Sequence, residues 1–378
     1  MVKFIHTADW QLGMTRHFLE GEAQARYSQA RLDVVRTIGE LASSENCEFV
    51  IVSGDVFESN LLDRQVVVRS LDALRAFPVP VFLLPGNHDP LNAASVYRSS
   101  VFTSSCPENV KVLESSTPVL LDGVGVAIVG APWDSKEPLE DLVSRACANL
   151  EVASGVQRVV VGHGVVDTIM PGFGKPSLIH GEDIERFIET GLVQYVGLGD
   201  RHSLTEIGNS GRFWYSGSPL ATDYDETMPN QVLVVTLSEG SIEVQAHQVG
   251  GWHFYRRLFE VNNHDDVDAV SEWLEQIENK QYAVVKLDFV GTLSVAENAR
   301  LEEVLDRNRE LLAALELGER ATDLHVMPDA ADEDSIDVSG FAKATLQELL
   351  GTAAGNDGDA QESRDALGLL FRLARGAQ

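Results

Sequence analysis

The chain has 378 residues, 44% of them hydrophobic, and carries 58 Asp and Glu against 29 Lys and Arg, a formal charge of −29. That is enough apolar chain for a sizeable core, most naturally in two domains, and it argues against unaided binding to nucleic acid, whose phosphates attract Lys and Arg. Cys47, Cys106 and Cys147 are scattered, odd in number and without a CxxC pair, which excludes a disulfide framework and fits a reducing compartment.

From Met1 the chain enters a strand without the pattern of a signal peptide, and no apolar run reaches the roughly 18 residues needed to cross a bilayer. The expectation is a soluble, cytoplasmic protein with no membrane attachment. Residues 3–8 form the first expected strand, ending in Asp9-Trp10-Gln11-Leu12-Gly13. A helix follows over 23–43, with Ala30, Val34, Ile38 and Leu41 at helical spacing. The strand Phe49–Val52 ends at Gly54-Asp55, and a second helix over 63–77 leads to the strand Val79–Leu84. That strand stops at Pro85-Gly86, where a ladder cannot continue, just before Asn87, His88 and Asp89. Alternation of strand and helix predicts a parallel sheet here.

Between Lys111 and Ala131 two β-rich runs flank Asp122-Gly123, a hairpin signal, and 231–237 with 242–248 form another around Glu239-Gly240. Val159–Val161 ends at Gly162-His163-Gly164, and Tyr195–Leu198 ends at Gly199-Asp200-Arg201-His202. The economical arrangement is α/β, two packed mixed sheets flanked by helices. Five strands thus finish at a metal-capable group, with glycine beside four of them to let backbone come close. The Asn-His-Asp-Pro stretch by itself also spells an ordinary turn. Recurrence at five strand ends, with hard or borderline donors and no thiolate, predicts the two halves of a dinuclear metal centre. Arg16 lies close enough in sequence to the first of these ends to meet a phosphate.

Past Gly251 the expected order is strand 255–261, helix 267–278, strand 283–290, helix 296–317 and strand 323–326, a small α/β cap over 251–327 without a ligand set. An acidic linker, 328–340, follows, and then a tail, 341–378, with helices over 341–350 and 365–374. Phe341, Leu346, Leu349 and Leu350, then Leu367, Leu370, Phe371 and Leu373, give these helices apolar faces suited to docking on a partner helix.

The ordered set Asp9…Gly54-Asp55…Gly86-Asn87-His88-Asp89…Gly162-His163…Gly199-Asp200-x-His202 resembles the calcineurin-like metallophosphoesterase superfamily over residues 1–250. Within it, His6-Thr7-Ala8-Asp9-Trp10-x-Leu12-Gly13 and the appended cap are similar to the SbcD-type DNA repair nuclease subunits. The resemblance implies a four-layer αββα sandwich and two divalent ions. Asp9, Gln11, Asp55 and His202 would hold one ion; Asp55, as the bridge, with Asn87, His163 and Asp200 would hold the other. A hydroxide between the ions would attack phosphorus, with His88 as general acid and Asp89 orienting its ring. The Gly217-Ser218-Pro219 stretch would put Ser218 at the cleft. An SbcC-type coiled-coil ATPase docked on the tail, DNA as substrate and a homodimer are the implied partners.

Three positions depart from the pattern. Gln11 and Asp200 stand where the superfamily has His, and Glu58 where SbcD-type proteins usually have a His that steadies the phosphate. The ligand set is therefore rich in oxygen, which suits manganese or magnesium better than zinc, with manganese first and magnesium, iron and zinc as the alternatives. A small-molecule phosphodiesterase or phosphatase, and a catalytically weakened scaffold, are the competing readings.

Overall fold

In the computed structural model, residues 1–121, 123–151, 155–170, 174–318, 322–327, 341–353, 363 and 366 are described. Contacts divide the chain into two units, Met1–Trp252 and His253–Gln378. In the first, the apolar runs Val2–Thr7 (β1), Phe49–Val52 (β2), Val81–Leu83 (β3) and Val110–Val112 (β4) pair in parallel in that order. The connections supply helices α1 (Glu22–Ser44), α2 (Arg64–Arg75) and α3 (Ser100–Ser105). Tyr27, Val34, Val35 and Ile38 of α1, and Val67, Leu71 and Leu74 of α2, form buried stripes at helical spacing.

A second sheet holds β5 (Val119–Leu121), β6 (Val126–Gly130), β7 (Gln157–His163), β8 (Tyr195–Gly199), β9 (Thr205–Glu206) and β10 (Phe213–Tyr215) in the order β5-β6-β7-β8-β10-β9. Its middle is parallel, while the β5/β6 and β9/β10 edges are antiparallel. The hairpin β11 (Gln231–Leu237) and β12 (Ile242–Gln248) returns to the first sheet, pairing antiparallel with β1 and completing β12-β11-β1-β2-β3-β4. Helices α4 (Leu142–Ala148) and α5 (Gly181–Glu189) bury Val143, Ala146, Ile184 and Ile188 against the second sheet's Val129, Val160 and Val196.

The two sheets meet over Phe4, Phe49, Ile51, Phe82, Ile128, Val159, Val161 and Tyr195. Phe4 stacks on Phe49 with ring centroids 4.7 Å apart and takes the edge of Tyr195 at 5.4 Å. Burying each such ring contributes about 1.5–3 kcal/mol. Polar bonds then clamp the sheets near their carboxyl ends. His6 Nε2 donates to the Leu198 carbonyl (3.1 Å) and Nδ1 accepts from the Tyr195 hydroxyl (2.9 Å), while the Ser53 hydroxyl donates to the Gly197 carbonyl (3.0 Å).

The second unit is built on β14 (Ala283–Ser294), parallel to β13 (His253–Val261) on one edge and to β15 (Ala314–Leu317) and β16 (Asp323–Met327) on the other. Helices α6 (His264–Glu275) and α7 (Val295–Arg309) cover it through Val267, Val270, Leu274, Leu301 and Leu305. The expected helix over 296–317 is therefore too long. Ser294 and Glu297 start it with a capping box, but it ends at Arg309, and Ala314–Leu317 pairs with Val284–Leu287 as a strand. A four-residue apolar run has no period of its own, and the open edge of β14 decides its state. The first tail helix is α8 (Phe341–Ala353), with Leu346 buried. Asp122 of the expected hairpin turn, the acidic linker 328–340 and the helix expected over 365–374, with Leu367, Leu370, Phe371 and Leu373, lie outside the described residues. Among the described residues no helix is long and apolar enough to cross a membrane.

Candidate metal centre

All five strand ends singled out in the sequence, those of β1, β2, β3, β7 and β8, close on one another where the two sheets meet. The loops after β1 and β2 stay zipped together beyond the strands. Asp9 N donates to the Gly54 carbonyl (3.1 Å), Gln11 N to Asp55 O (2.8 Å), Leu12 N to Val56 O (2.9 Å) and Glu58 N back to Leu12 O (3.1 Å). Such a double loop aims Asp9, Gln11 and Asp55 from a common frame. All three, and Asp200, have φ in the left-handed region: 54°, 43°, 49° and 93°. Side chains other than glycine avoid that region at a cost of order 1–3 kcal/mol each, and such strain gathers at functional sites. Glycine at 54 and 86 is required sterically, since a Cβ at Gly54 would lie 2.2 Å from His163 Nδ1 and one at Gly86 2.2 Å from Asp55 Oδ1.

Ligand atoms of Asp9, Asp55 and His163 lie within 4.8 Å of one another, and all three residues are buried. His163 Nδ1 donates to the Ser53 carbonyl (2.9 Å), which turns Nε2 inward to 2.7 Å from Asn87 Oδ1, 3.4 Å from Asp55 Oδ1 and 3.7 Å from Asp200 Oδ1. Three oxygens crowding one imidazole nitrogen call for a positive charge among them. Turning the Asn87 amide is one partial answer, since its nitrogen then donates to Asp55 (3.0 and 3.1 Å) and to His163 Nε2 (2.7 Å). A divalent cation is the fuller one, because it meets every acceptor at once. The electrostatics of the buried groups tell the same story. Burial pulls the His163 pKa down, yet the carboxylates of Asp55, Asp200 and Asp9 outweigh it and hold the pKa well above the usual histidine value. Burial drives Asp9 up to about 7 and also raises Asp200.

On the other side, Gln11 is 2% exposed and its Oε1 has no hydrogen-bond partner, an acceptor aimed at nothing in the protein. Its Nε2 lies 3.4 Å from His202 Nε2. His202 Nδ1 faces Thr222 Oγ1 (2.6 Å) and Glu226 Oε1 (3.1 Å), leaving Nε2 turned toward Gln11. Thr222 and Glu226 are also bonded to each other. The buried orphan oxygen, the carboxylate crowd and the oriented imidazoles fit divalent cations.

The remaining candidates take more varied places. His88 is 36% exposed at the mouth of the centre; its Nδ1 donates to the Glu58 carbonyl (3.0 Å) and its Nε2 lies 3.9 Å from Asp55 Oδ2. Asp89 does not touch that ring. It is fully buried and accepts from Gly86 N (2.7 Å), Phe57 N (3.0 Å) and the Tyr97 hydroxyl (2.6 Å), so its work is to hold the two loops together. Ser218 is likewise fully buried, its hydroxyl facing the Leu220 (2.8 Å) and Asp9 (3.1 Å) carbonyls, and it braces Asp9 instead of meeting substrate. The Glu58 carboxyl has a raised pKa because burial outweighs the pull of His88, Arg31 and Arg16, and the two arginines explain how an acid is tolerated there. Arg16 donates to the Thr222 carbonyl (2.6 Å), on the edge of the same centre. Ser53, Thr222, Glu226 and Trp133, whose Nε1 donates to the His163 carbonyl (2.8 Å), were not candidates from sequence. Only Ser53, next to Gly54-Asp55, carried any signal.

A family model for the calcineurin-like phosphoesterases matches residues 2–309. The chain belongs to that family. This metallophosphoesterase is 28% identical over 163 residues to the "DNA double-strand break repair protein Mre11" of Archaeoglobus fulgidus, covering 38% of this chain and 35% of that one. It is 23% identical over 280 residues to the SbcD component of the SbcCD nuclease of Escherichia coli, covering 64% of this chain and 66% of the other. The chain thus spans 35% and 66% of the lengths of these two relatives. Among solved structures, a dimetal phosphatase from Danio rerio superposes with a TM-score of 0.41 at 14% identity, over 66% of this chain and 96% of that one.

Proposed function

We propose that this metallophosphoesterase is a phosphodiesterase that cleaves DNA, as the exonuclease and endonuclease subunit of an SbcCD-like repair assembly in the cytoplasm. The observation that carries the reading is the convergence of Asp9, Gln11, Asp55, Asn87, His163, Asp200 and His202 on one strained, glycine-cut cleft, joined to relatives whose names are those of DNA repair nucleases. Asp9, Gln11, Asp55 and His202 would hold one ion, and Asp55, Asn87, His163 and Asp200 the other, with manganese best suited to so many oxygens. Such a pair of ions supplies acidified water and neutralises the phosphate's oxygens.

The chain's own residues do the rest. The Glu58 carbonyl accepts from His88 Nδ1 and fixes the ring, so that in its imidazolium form the second proton sits on Nε2, the one to be given to the departing oxygen. Ser53 fixes His163, and Thr222 with Glu226 fixes His202, so that neither ring must reorganise during the reaction. Arg16 and Arg31 offset Glu58 where a phosphate approaches. A chain of charge −29 leaves most DNA contact to a basic partner, in this reading an SbcC-type ATPase docked on the tail helices, with two copies of the chain paired in the assembly.

The test pairs metal content with leaving-group dependence. Manganese-loaded protein should hold close to two ions per chain and hydrolyse both bis(p-nitrophenyl) phosphate and linear DNA. His88→Ala should keep the ions and lose about 10²–10⁴-fold on DNA but far less on the p-nitrophenyl ester, which leaves without a proton. Equal losses on both substrates contradict the assignment of the acid.

A further inference from the structure

Helix α1 buries one face at Tyr27, Arg31, Val34, Val35 and Ile38, and Arg31 is out of place in such a stripe. It is 3% exposed, and among the described residues no carboxylate lies within ion-pair distance of its guanidinium. A buried cation without a paired anion is costly, and an apolar side chain would fill the same space without that cost. Its field reaches Glu58, but no bond does. What the guanidinium gains is a set of directed contacts. Nη1 donates to the Trp10 carbonyl (2.7 Å), and Nη2 donates to the Tyr27 hydroxyl (2.7 Å) and faces Met14 Sδ (3.0 Å). The guanidinium carbon also lies 4.8 Å from the centre of the Tyr27 ring.

These bonds lead to the two loops that make up the Gln11 and His202 side of the centre. The Trp10 carbonyl belongs to the peptide that joins Trp10 to Gln11, and the N–H of that peptide donates to Asp55 O (2.8 Å). The unit is thus held at both ends, between the left-handed residues Asp9 and Gln11. Tyr27 is fully buried and passes the second bond on, since its hydroxyl accepts from Arg31 and donates to the Ala221 carbonyl (2.8 Å). That carbonyl belongs to the peptide joining Ala221 to Thr222, whose N–H meets Glu226 (3.0 and 3.1 Å). Thr222 and Glu226 are the two groups that face His202 Nδ1. One helical turn, from Tyr27 to Arg31, therefore ties both loops to a single rigid element. His163, on the other side, takes its orientation from the Ser53 carbonyl instead.

We propose that Arg31, acting with Tyr27, is the positioning residue for the Gln11 and His202 side, fixing the peptide that presents Gln11 and the loop that steers His202. The inference rests on the reading of the cleft as a two-ion phosphodiesterase centre, and it supplies a fixed support for the side that depends on loops. It makes a guanidinium the requirement, and not a cation as such, because two acceptors in different directions call for a planar fork.

The test is calorimetric titration of manganese into full-length, metal-free protein, as wild type, Arg31→Lys, Arg31→Met and Tyr27→Phe. Arg31→Lys keeps the charge and loses the fork. Affinity for one ion of the two should fall by about tenfold, the low end of the loss usual for residues that orient a ligand, while the other ion holds. Arg31→Met should act in the same direction. Charge alone demands the reverse, since removing a cation from beside a cation site tightens the ion. A tighter ion in Arg31→Met with no change in Arg31→Lys therefore overturns the proposal. Tyr27→Phe cuts only the branch to Ala221 and should remove a smaller part of the same affinity. The affected ion should be the one that Gln11→Ala also loosens. Ile38→Ala, on the same buried face, should lower the urea midpoint of the chelated protein and leave both affinities alone. If it weakens an ion as Arg31→Lys does, or if Arg31→Lys weakens both ions together, helix packing is the cause and the proposal falls. Hydrolysis of bis(p-nitrophenyl) phosphate by the same samples reads the parent proposal separately. A one-sided shift without hydrolysis fails the phosphodiesterase reading and leaves the role of Arg31 standing. Hydrolysis with both affinities unmoved in Arg31→Lys fails the role of Arg31 alone, and a wild type that holds fewer than two ions overturns both.

Discussion

Asn87 and His163 hang from the ends of β3 and β7, and their donor atoms lie 2.7 Å apart, with Asp55 Oδ1 3.4 Å from the same imidazole nitrogen. Across Asp55, Gln11 and His202 are 3.4 Å apart, one with a buried orphan oxygen and the other steered by Thr222 and Glu226 from an irregular loop. One side is therefore fixed by sheet geometry and by glycines that leave no room for anything else. The other depends on a neutral amide and on a loop that the sheets do not dictate. If both sides hold ions, the first should be the tight, substitution-intolerant one and the second the adjustable one.

Asp55, proposed above to bridge the ions, is the residue whose loss would break both sides at once, so it should have the largest effect. Asp55 is 2% exposed, and its Oδ1 also accepts from His88 N (2.9 Å). If Asp55 bridges the two sides, Asp55→Asn removes the shared anion, and hydrolysis should fall to the level of chelated protein with fewer than one tightly held manganese per chain. Two ions retained with activity intact would remove Asp55 from the centre.

A smaller loss should separate the sides. Glu226→Gln leaves the Asn87 and His163 side untouched and loosens only His202. Affinity for one ion of two should weaken by about 10–100-fold, the usual effect of losing a residue that orients a ligand. Calorimetry in which both affinities fall together, or neither moves, contradicts the independence of the two sides.

That second test concerns residues the sequence kept hidden, and the reason is physical. Asp9, Asp55, Asn87, His163 and Asp200 were legible because each follows an apolar run cut short by glycine or proline or passing into a polar group, a local pattern. Thr222 and Glu226 act on His202 from 20 and 24 residues away through a loop without periodicity. Ser53 meets His163 across 110 residues. Asp89 could be read as a partner of His88 because the two are adjacent in sequence, but the carboxylate turns to Gly86, Phe57 and Tyr97 instead. Glu58 looked misplaced because Arg31, which offsets it, arrives from a helix. The strand Ala314–Leu317 was misread for a related reason, since its partner strand, and not its own pattern, sets its conformation.

Both sides share a floor, the clamp that His6 makes between the sheets, and acid should loosen it. Burial lowers the His6 pKa from 6.5 to about 3, so the folded protein keeps the ring neutral while the unfolded chain protonates near 6.5. The unfolded state therefore binds the extra proton first. The contribution of His6 is complete above pH 6.5 and is lost as the pH falls from there toward 3. At pH 5 the loss is on the order of 2 kcal/mol. Urea midpoints of chelator-treated protein at pH 7.5 and pH 5, for the wild type and His6→Gln, should show the larger acid loss in the wild type. Parallel losses would mean that other groups set the slope.

The smallest change should also be the most telling, because it gives the adjustable side a stronger donor. Gln11 offers a buried amide oxygen without a partner, beside a left-handed backbone that the Asp55 carbonyl holds through Gln11 N (2.8 Å). The backbone bond does not depend on the side chain, so Gln11→His keeps the loop and changes only the donor. Imidazole binds late first-row ions more strongly than an amide oxygen does, and zinc gains from it more than manganese. The weaker of the two ion affinities should therefore tighten by about tenfold for zinc, a gain of roughly 1.4 kcal/mol, and less for manganese. The Asn87 and His163 side should not respond, because none of its donor atoms has changed. Two-site calorimetry with each ion measures this directly. If neither ion binds the weaker site more tightly, the Gln11 oxygen is not a ligand, and the contrast between a fixed and an adjustable side must be drawn from His202 alone.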